Sequence, residues 1–438
     1  MNEVITITMK NYFVKKSTLS GEIIAPTSKS QTMRAILFAS LAKGETKIKN
    51  FLKTKDTIAF IEGCRKFKAK IKIQKNNLKI LGVNRKIDLK KNEKLDVLNS
   101  GIALRFFTSI YALADKKILI TGDESIQNNR SMKPLIDVLN LTCAEITSIK
   151  KKDFAPMEIK GPFKANMIEI DGEDSQHVSS ILIASALLKN KIQIKVKNPK
   201  EKPWVLMTLG WLDKMGIFYE NKNFENFVID PTKNVRKIFK SFEYEIPTDF
   251  STILFLIVAT LITQSEIAIK NVVFDEFQAD QKTIEIFQKL GAKIEIDRLN
   301  KTISVKKSNL KGNLEIDVDN FIDSVPILAV LGCYNDGTIV LKNALNARKK
   351  ESDRICTIAS ELKKMGAKIE TKKDGLEVKK SSLKAARVNS YKDHRIAMAL
   401  TVGALGVLEP SIIEDINCID KTYPNFKKEF QSLGAHIL

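Results

Sequence analysis

Small polar residues beside lysine or arginine recur at six places along the chain, and each place is a candidate anion site. The six segments are 25–34 (APTSKSQTMR), 98–105 (LNSGIALR), 129–131 (NRS), 346–354 (NARKKESDR), 391–395 (YKDHR) and 420–426 (DKTYPNF). The first follows a predicted strand and opens a predicted helix, 34–41. Backbone N–H groups and the helix dipole favour an anion there, and Lys29 and Arg34 add full charges. Plain helix capping by the hydroxyl residues would leave Lys29 unexplained.

The fourth segment is predicted to open a helix that begins at Asn346 and runs to Met365. Such a helix places Lys350, Glu351 and Arg354 within about one turn. Like charges four residues apart repel, so the pairing of Lys350 with Arg354 favours an anion between them. An exposed helix start is the competing interpretation.

Two carboxylates accompany these bases. Asp249 precedes a long apolar stretch, and Asp323 interrupts the apolar run from Phe321 to Pro326. A charge among apolar side chains costs desolvation unless it is paired or used in chemistry, so Asp323 is a candidate general base. Capping of the following helix is the alternative role.

An internal repeat must position these residues. A helix end, a small-residue turn and a strand recur six times at an interval of about 75 residues. The residues that follow the turn are Ala69, Ala144, Ile217, Ala292, Ala367 and Ala435. Glycine in four of the turns suits a left-handed helix end. Six α/β units arranged three and three predict two similar lobes, with a ligand expected in the cleft between them. A solenoid is disfavoured because its repeats span only about 20 to 45 residues.

Length and composition set further bounds. With 438 residues and 44% hydrophobic content, the chain can bury a substantial core in two or more domains. The net charge of +21 is spread as lysine with few aromatic residues between, which favours a solvated surface over nucleic-acid binding. The start of the chain lacks a secretory pattern and no apolar segment is long enough to span a membrane, so we expect a cytoplasmic protein. The five scattered cysteines are expected to be buried thiols.

Taken together and in this order, the six segments resemble the signature of the 5-enolpyruvylshikimate-3-phosphate synthase family, from about Gly21 to Phe426. The resemblance implies a mixed α/β (α+β) fold with two similar lobes. Each lobe would hold three βαβαββ repeats of the inside-out α/β barrel type, and the chain would cross a hinge twice. Residues 1–25 plus 247–438 would form the phosphoenolpyruvate-side lobe with the catalytic acids, and residues 26–246 the lobe on the shikimate phosphate side.

The resemblance also implies which residues bind each substrate. Those expected to bind phosphoenolpyruvate are Lys29, Asn99, Gly101, Arg130, Arg354, Arg395 and Lys421. Those expected to bind shikimate 3-phosphate are Ser30, Arg34, Ser175, Gln176, Asp323, Asn346 and Lys350. Clustered cations suit such anions, since charge-assisted hydrogen bonds are the strong ones.

The implied reaction is an addition followed by an elimination. Glu351 would protonate the methylene carbon, and Asp323 or Lys29 would deprotonate the acceptor's 5-hydroxyl, after which phosphate leaves. The resemblance implies no metal and no organic cofactor. It implies small anionic substrates as partners, no nucleic acid, no membrane and a monomer.

The chain departs from the family pattern at several positions. Asp174 and Glu201 stand where the family usually has serine. Because an acid facing a phosphate would repel it, we expect that these side chains turn away, that Lys202 compensates for their charge, or that the phosphate subsite is remodelled. Ile102 and Phe106 stand where the family has threonine and proline, and the bulkier Ile102 predicts reduced sensitivity to glyphosate, which occupies the phosphoenolpyruvate site.

Two other functions compete. A UDP-N-acetylglucosamine enolpyruvyl transferase would share the lobes and the donor, but its loop cysteine is missing from residues 121–130. A basic nucleic-acid-binding repeat protein would explain the charge, but it would not need Glu351 and Asp323.

Overall fold

The computed structural model describes residues 10–233 and 238–438. The chain divides into two compact units. One comprises Met1–Pro26, of which the described part begins at residue 10, together with Thr248–Phe274 and Ala279–Leu438; the other comprises Thr27–Pro247 and Asp275–Gln278. In the described part of the chain, no helix combines the length and apolar character needed to cross a membrane.

The described residues form helices and strands that alternate along the chain. The helices are α1 (Lys29–Leu41), α2 (Lys55–Lys66), α3 (Gly101–Tyr111), α4 (Glu124–Asn128), α5 (Lys133–Asn140), α6 (Ser175–Ser185), α7 (Lys202–Lys214), α8 (Phe250–Ile262), α9 (Thr283–Lys289), α10 (Val325–Tyr334), α11 (Arg354–Lys364), α12 (His394–Ala404) and α13 (Phe426–Ser432). Short 3-10 helices cover Ala279–Lys282, Ile322–Ser324, Leu345–Lys349 and Ile416–Lys421.

The strands are short, as expected for half-exposed sheets. They are β1 (Tyr12–Val14), β2 (Ser20–Ile24), β3 (Glu45–Lys49), β4 (Lys70–Gln74), β5 (Asn77–Leu81), β6 (Glu93–Asp96), β7 (Ile118–Thr121), β8 (Glu145–Ser148), β9 (Met157–Lys160), β10 (Met167–Asp171), β11 (Ile192–Lys197), β12 (Phe218–Lys222), β13 (Asn226–Asp230), β14 (Glu243–Glu245), β15 (Glu266–Lys270), β16 (Lys293–Asp297), β17 (Thr302–Lys306), β18 (Leu314–Asp317), β19 (Thr338–Lys342), β20 (Lys368–Lys372), β21 (Gly375–Lys379), β22 (Arg387–Asn389) and β23 (Ser411–Glu414).

The unit built on Thr27–Pro247 holds three four-stranded sheets, ordered β14-β3-β5-β4, β6-β7-β9-β8 and β10-β11-β13-β12. In each sheet the first two strands are parallel and the remaining pairs are antiparallel. A parallel pair needs a crossover, which a helix supplies, whereas the antiparallel pair closes through a tight turn. The predicted mixed α/β class and βαβαββ repeat are therefore confirmed.

The other unit repeats the plan with one change. Its sheets are ordered β2-β15-β17-β16, β18-β19-β21-β20 and β22-β23-β1. The last sheet is completed by β1 from the start of the chain, which runs antiparallel to β23, and Val14 also bridges Ile437 near the other end of the chain.

Two strands are exchanged relative to a simple succession of repeats. β2 directly precedes α1 in the sequence, yet it pairs in parallel with β15 of the unit that holds α8. β14 directly precedes α8, yet it pairs in parallel with β3. The unit that holds α8 is therefore completed by β2, from outside its later stretch of sequence, whereas β14 lies at the end of the stretch Thr27–Pro247 that it completes.

Apolar helices form the interior of both units. Every residue of α8 and α12 is buried, and both helices pack on α10. In the other unit α3 packs against α6, and α1 is buried from Gln31 to Leu41. Strand residues alternate between buried and exposed, as along β11, so the sheets cover the helices and present one face to water.

The predicted turn between helix and strand recurs in the structure. Gly291 (φ 95°) and Gly366 (φ 87°) adopt the left-handed conformation that a side chain disfavours. Lys68 takes the same conformation (φ 72°) in the first copy, despite its side chain.

Two local predictions are wrong. The helix predicted to begin at Asn346 begins at Arg354, because Asp353 caps it by accepting the backbone N–H of Cys356 (3.0 Å). Lys350 and Glu351 therefore lie in the loop before α11. The cysteines are not all buried, since Cys143 and Cys356 are exposed.

Candidate active site

Arg354, the first residue of α11, lies at the centre of a buried charge cluster in the unit that contains α8 to α13. Its guanidinium is 1% exposed and donates to three carboxylates. Nε is 2.8 Å from Asp393 Oδ2, Nη1 is 2.6 Å from Asp323 Oδ1, and Nη2 is 2.8 Å from Glu351 Oε2. Charge-assisted hydrogen bonds of this length are strong and fix the geometry of both partners.

Two more cations complete the cluster. Lys421 Nζ donates to the second oxygen of Glu351 at 2.8 Å. Arg395, at the start of α12, donates to the backbone oxygen and the hydroxyl of Ser251 and lies 3.7 Å from Asp323 Oδ2. Five of the residues predicted to act at the site are thus brought together: Asp323, Glu351, Arg354, Arg395 and Lys421.

Asp323 lies in the 3-10 turn Ile322–Ser324. Ser324, not Asp323, is the N-cap of α10, and its side chain makes no capping bond, so the capping interpretation of Asp323 is wrong. Burial alone would raise the pKa of Asp323, but the charges of Arg354, Arg395 and Lys350 hold it well below its usual range. The side chain is therefore a carboxylate at neutral pH.

The carboxylates of this cluster are already matched by protein cations. Oxygen and nitrogen atoms of Glu351, Asp393 and His394 lie within 4.8 Å of one another, close enough to hold a metal ion. Arg354 donates to both carboxylates of this group, and Lys421 donates to Glu351. The guanidinium thus supplies the positive charge that a metal would bring.

In the unit built on Thr27–Pro247, α1 carries two of the predicted basic residues. Lys29 Nζ lies 3.7 Å from Asp56 Oδ2. Arg34 is 1% exposed and stacks over the ring of Phe106. Its Nε donates to Thr208 Oγ1 at 3.0 Å and its Nη1 to the backbone oxygen of Ser30 at 3.3 Å.

Arg34 remains charged in its buried position. Burial lowers its pKa to about 9, and the charge of Asp275 opposes this shift. The guanidinium is therefore cationic at neutral pH, as arginine is in nearly all proteins.

The start of α3 meets the start of α6. A Cβ on Gly101 would lie 3.2 Å from Arg105 Nη1 and 3.3 Å from Gln176 Oε1, with Arg130 Cζ at 3.9 Å. Glycine at position 101 thus leaves room beside two arginines. The structure brings together Gly101, Arg130 and Gln176.

The two acids that depart from the family pattern are both engaged. Asp174 caps α6 by accepting the backbone N–H of Gln176 and pairs with Arg105 at 3.4 Å. Glu201, 3% exposed, accepts the hydroxyl of Ser175 at 2.8 Å. Among the predicted explanations, the contacts of Asp174 fit a side chain turned to its own helix, whereas Glu201 directly contacts a predicted phosphate ligand.

The remaining predicted residues lie in loops and turns. Asn99 donates to Asp123 at 2.5 Å, just before α3. Asn346 lies in the 3-10 turn Leu345–Lys349. Lys350 directly follows this turn, and its charge lowers the pKa of Asp323.

Sequence analysis missed Asp393 and Arg105 as site residues. Asp393 is fully buried and binds Arg354 with both oxygens. Its signal was an acid directly before a predicted apolar helix, the same position that Asp249 holds before its apolar stretch. Arg105 donates to His177 Nε2 at 3.3 Å. Burial and the charge of Arg105 lower the pKa of His177 to about 4, so the imidazole is neutral and can accept this bond.

Comparison with known proteins places the chain in one family. The family model described as EPSP synthase (3-phosphoshikimate 1-carboxyvinyltransferase) matches residues 14–430. A 3-phosphoshikimate 1-carboxyvinyltransferase of Chlamydia abortus is 38% identical over 98% of this chain and 95% of its own length. Enzymes of the same name from Acetivibrio thermocellus and Methanococcus maripaludis are each 36% identical, over 97% of this chain and 98% and 99% of their own lengths.

Solved structures show the same fold. Two structures of EPSP synthase from Acinetobacter baumannii match with TM-scores of 0.82 and 0.80, at 24% and 23% identity. Each match covers 98% of this chain and 99% of the solved chain.

Proposed function

Because this chain belongs to the EPSP synthase family, we propose how its residues carry out the family's reaction, the transfer of the enolpyruvyl group from phosphoenolpyruvate to shikimate 3-phosphate. The observation that carries the assignment of residues is the cluster around Arg354. Three cations, Arg354, Arg395 and Lys421, contact three acids, Asp323, Glu351 and Asp393. Such a set can both bind an anion and move protons.

The donor is assigned to Lys29, Asn99, Gly101, Arg130, Arg354, Arg395 and Lys421. Phosphoenolpyruvate carries a carboxylate and a phosphate, and bidentate contacts from arginine suit both groups. The burial of Arg354 and Arg130, at 1% and 5% exposed, supports this assignment, since a buried cation interacts more strongly with an anion than an exposed one.

The acceptor is assigned to Ser30, Arg34, Ser175, Gln176, Asp323, Asn346 and Lys350. In this assignment, residues 26–246 serve the shikimate phosphate, whereas residues 1–25 and 247–438 serve phosphoenolpyruvate and supply the catalytic acids. Residues 1–9 and 234–237 of these ranges lie outside the described residues.

The chemistry begins with two proton transfers. Glu351 gives a proton to the methylene carbon of the donor, while Asp323 or Lys29 takes the proton of the acceptor's 5-hydroxyl. The hydroxyl oxygen then bonds to the carbon that bears phosphate. In the elimination that follows, the bond from this carbon to the phosphate oxygen breaks, and the methyl group returns a proton to the Glu351 carboxylate to restore the double bond.

The charge balance of the cluster explains how both acids change their proton affinity. A bound anion accepts hydrogen bonds from Arg354 and Lys421. These cations then interact less with Glu351 and Asp323. Loss of a nearby cation favours the protonated form of a carboxyl group. Donor binding therefore raises the proton affinity of both acids. Glu351 can then carry a proton, and Asp323 is a stronger base than in the ligand-free protein.

The activity is tested by mixing the protein with phosphoenolpyruvate and shikimate 3-phosphate and measuring phosphate release. We expect release only when both substrates are present. UDP-N-acetylglucosamine in place of shikimate 3-phosphate is the matched acceptor control and is expected to give none. Release with that acceptor alone would overturn the proposal in favour of the sister enzyme.

Glyphosate sensitivity gives a separate prediction about α3. Ile102 is its second residue, next to Gly101, and we propose that its bulky side chain narrows the donor site. We expect Ile102→Thr to lower the glyphosate concentration for half inhibition by about tenfold, equivalent to about 1.4 kcal/mol. Phosphate release measured over a glyphosate series, with the KM for phosphoenolpyruvate as control, tests this, and equal inhibition of both proteins would contradict it.

The protein is further proposed to act in the cytoplasm as a monomer on small anionic substrates, without nucleic acid, membrane, metal or organic cofactor. The dispersion of its lysines and the protein cations that already match the acids of the Arg354 cluster support this proposal.

A further inference from the structure

Asp280 is a buried acid that has no part in the mechanism above. It lies in the 3-10 helix Ala279–Lys282, directly before α9, and it is 4% exposed. The hydroxyl of Ser324 donates to its Oδ1 at 2.8 Å. Burying a carboxyl group costs desolvation free energy, so we expect Asp280 to have a role at this position.

Ser324 connects Asp280 to the reaction. It is fully buried and directly follows Asp323 in the turn Ile322–Ser324. The carboxylate of Asp323 in turn lies 2.6 Å from Arg354 Nη1. The hydrogen bond from Ser324 to Asp280 therefore ties the turn that carries Asp323 to a second, separate element.

Charged groups from three other elements act on Asp280. Asp323 in the 3-10 turn and Asp249 at the start of α8 bring like charge, and Arg395 of α12 brings opposite charge. Burial is the largest influence and raises the pKa of Asp280 to about 7, with the two acids adding to this and the Ser324 hydrogen bond and Arg395 opposing it.

We propose that Asp280 is a positioning residue for enolpyruvyl transfer: it holds, through Ser324, the turn that presents Asp323, and its charge sets how strongly Asp323 accepts a proton. This inference rests on the proposed function of Asp323 as a base. Coupling between two acids is mutual, because a negative charge on either one raises the proton affinity of the other. An ionised Asp280 therefore makes Asp323 the stronger base.

The sign of the pH dependence follows. Below about pH 7 Asp280 is protonated and Asp323 is a weak base, whereas above it Asp280 is charged and Asp323 is strengthened. In the wild type, kcat is expected to rise through about pH 7 on this account. Asp280→Asn can still accept the Ser324 hydrogen bond, but it stays neutral at every pH.

The test compares kcat and KM of the wild type and Asp280→Asn at about pH 6 and about pH 8. We expect similar kcat values at the lower pH and a kcat about tenfold lower for the variant at the higher pH, with little change in KM. Asp336→Asn, which neutralises an exposed acid paired with Lys380, is the matched control and should follow the wild type. A purely structural role would reduce kcat equally at both pH values, and that outcome, or an unchanged pH profile, would overturn the proposal.

Two further variants separate the possible failures. Ser324→Ala removes the hydrogen bond that favours the charged form of Asp280, so the rise in kcat should persist and move to higher pH. Asp323→Asn tests the premise on its own. Wild-type activity in Asp323→Asn would refute the assignment of Asp323 as the base. If Asp323→Asn is inactive but Asp280→Asn behaves like the wild type, only the role of Asp280 is refuted.

Discussion

Replacing Glu351 with glutamine is expected to slow phosphate release by about 10² to 10⁴ fold, the usual contribution of a positioned proton donor. The amide keeps the size of the carboxyl group, which is 10% exposed between Arg354 and Lys421, but it has no proton to transfer. The KM for phosphoenolpyruvate should stay the same or fall, because the variant no longer has a carboxylate that competes for the two cations.

A second readout distinguishes proton transfer from a loss of binding. In heavy water, a donor that is protonated and deprotonated reversibly exchanges its methylene hydrogens, and Glu351→Gln should slow this exchange together with phosphate release. Glu295→Gln, at an exposed acid paired with Lys306 in β16 and β17, is the matched control. Phosphate release at the wild-type rate in Glu351→Gln would remove Glu351 as the proton donor.

Replacing Arg354 with alanine is expected to abolish detectable turnover and to lower the free energy of unfolding by about 3 to 5 kcal/mol at pH 7, as the loss of one partner of a buried ion pair does. The substitution leaves Glu351, Asp323 and Asp393 without their shared guanidinium donor. Denaturant unfolding of both proteins measures the difference.

The pH dependence of this loss has a definite sign. Arg354 holds the pKa of Asp323 below its ordinary value, so the stability from their pairing is fully present above about pH 4 and is lost as the carboxylate protonates at lower pH. The gap in stability between wild type and variant should therefore narrow below about pH 4. Arg387→Ala breaks an exposed ion pair with Glu414 and serves as the control, for which we expect almost no change. A gap that widens on acidification would contradict the role given to Arg354.

The repeat, and with it most of the fold, was predictable because it depends on local patterns. In each repeat a helix ends, the chain turns and a strand begins. A left-handed residue at such a turn is often glycine, as at Gly366, so the turn can be recognised in the sequence. The exchange of β2 and β14 was not predictable in the same way. Strand pairing between residues far apart in sequence depends on tertiary packing and not on local pattern.

Sequence analysis named several residues of the Arg354 cluster but not the contacts between them. Arg354 and Asp393 are 39 residues apart, and Lys421 and Glu351 are 70 apart, so nothing local marks either pair. The helix predicted from Asn346 failed for a related reason. Residues 346–353 are compatible with a helix, but Glu351 reaches both Arg354 and Lys421 from the loop before α11.

The place of β1 has a consequence for how the polypeptide matures. During translation Tyr12–Val14 leaves the ribosome long before its partners, β23 and Ile437, are made. The third sheet of that unit must therefore wait until β23 has been made, while Thr27–Pro247 contains all the described strands of its own unit. Nascent chains stalled before β23 should show a protease-resistant first unit and a protease-sensitive beginning.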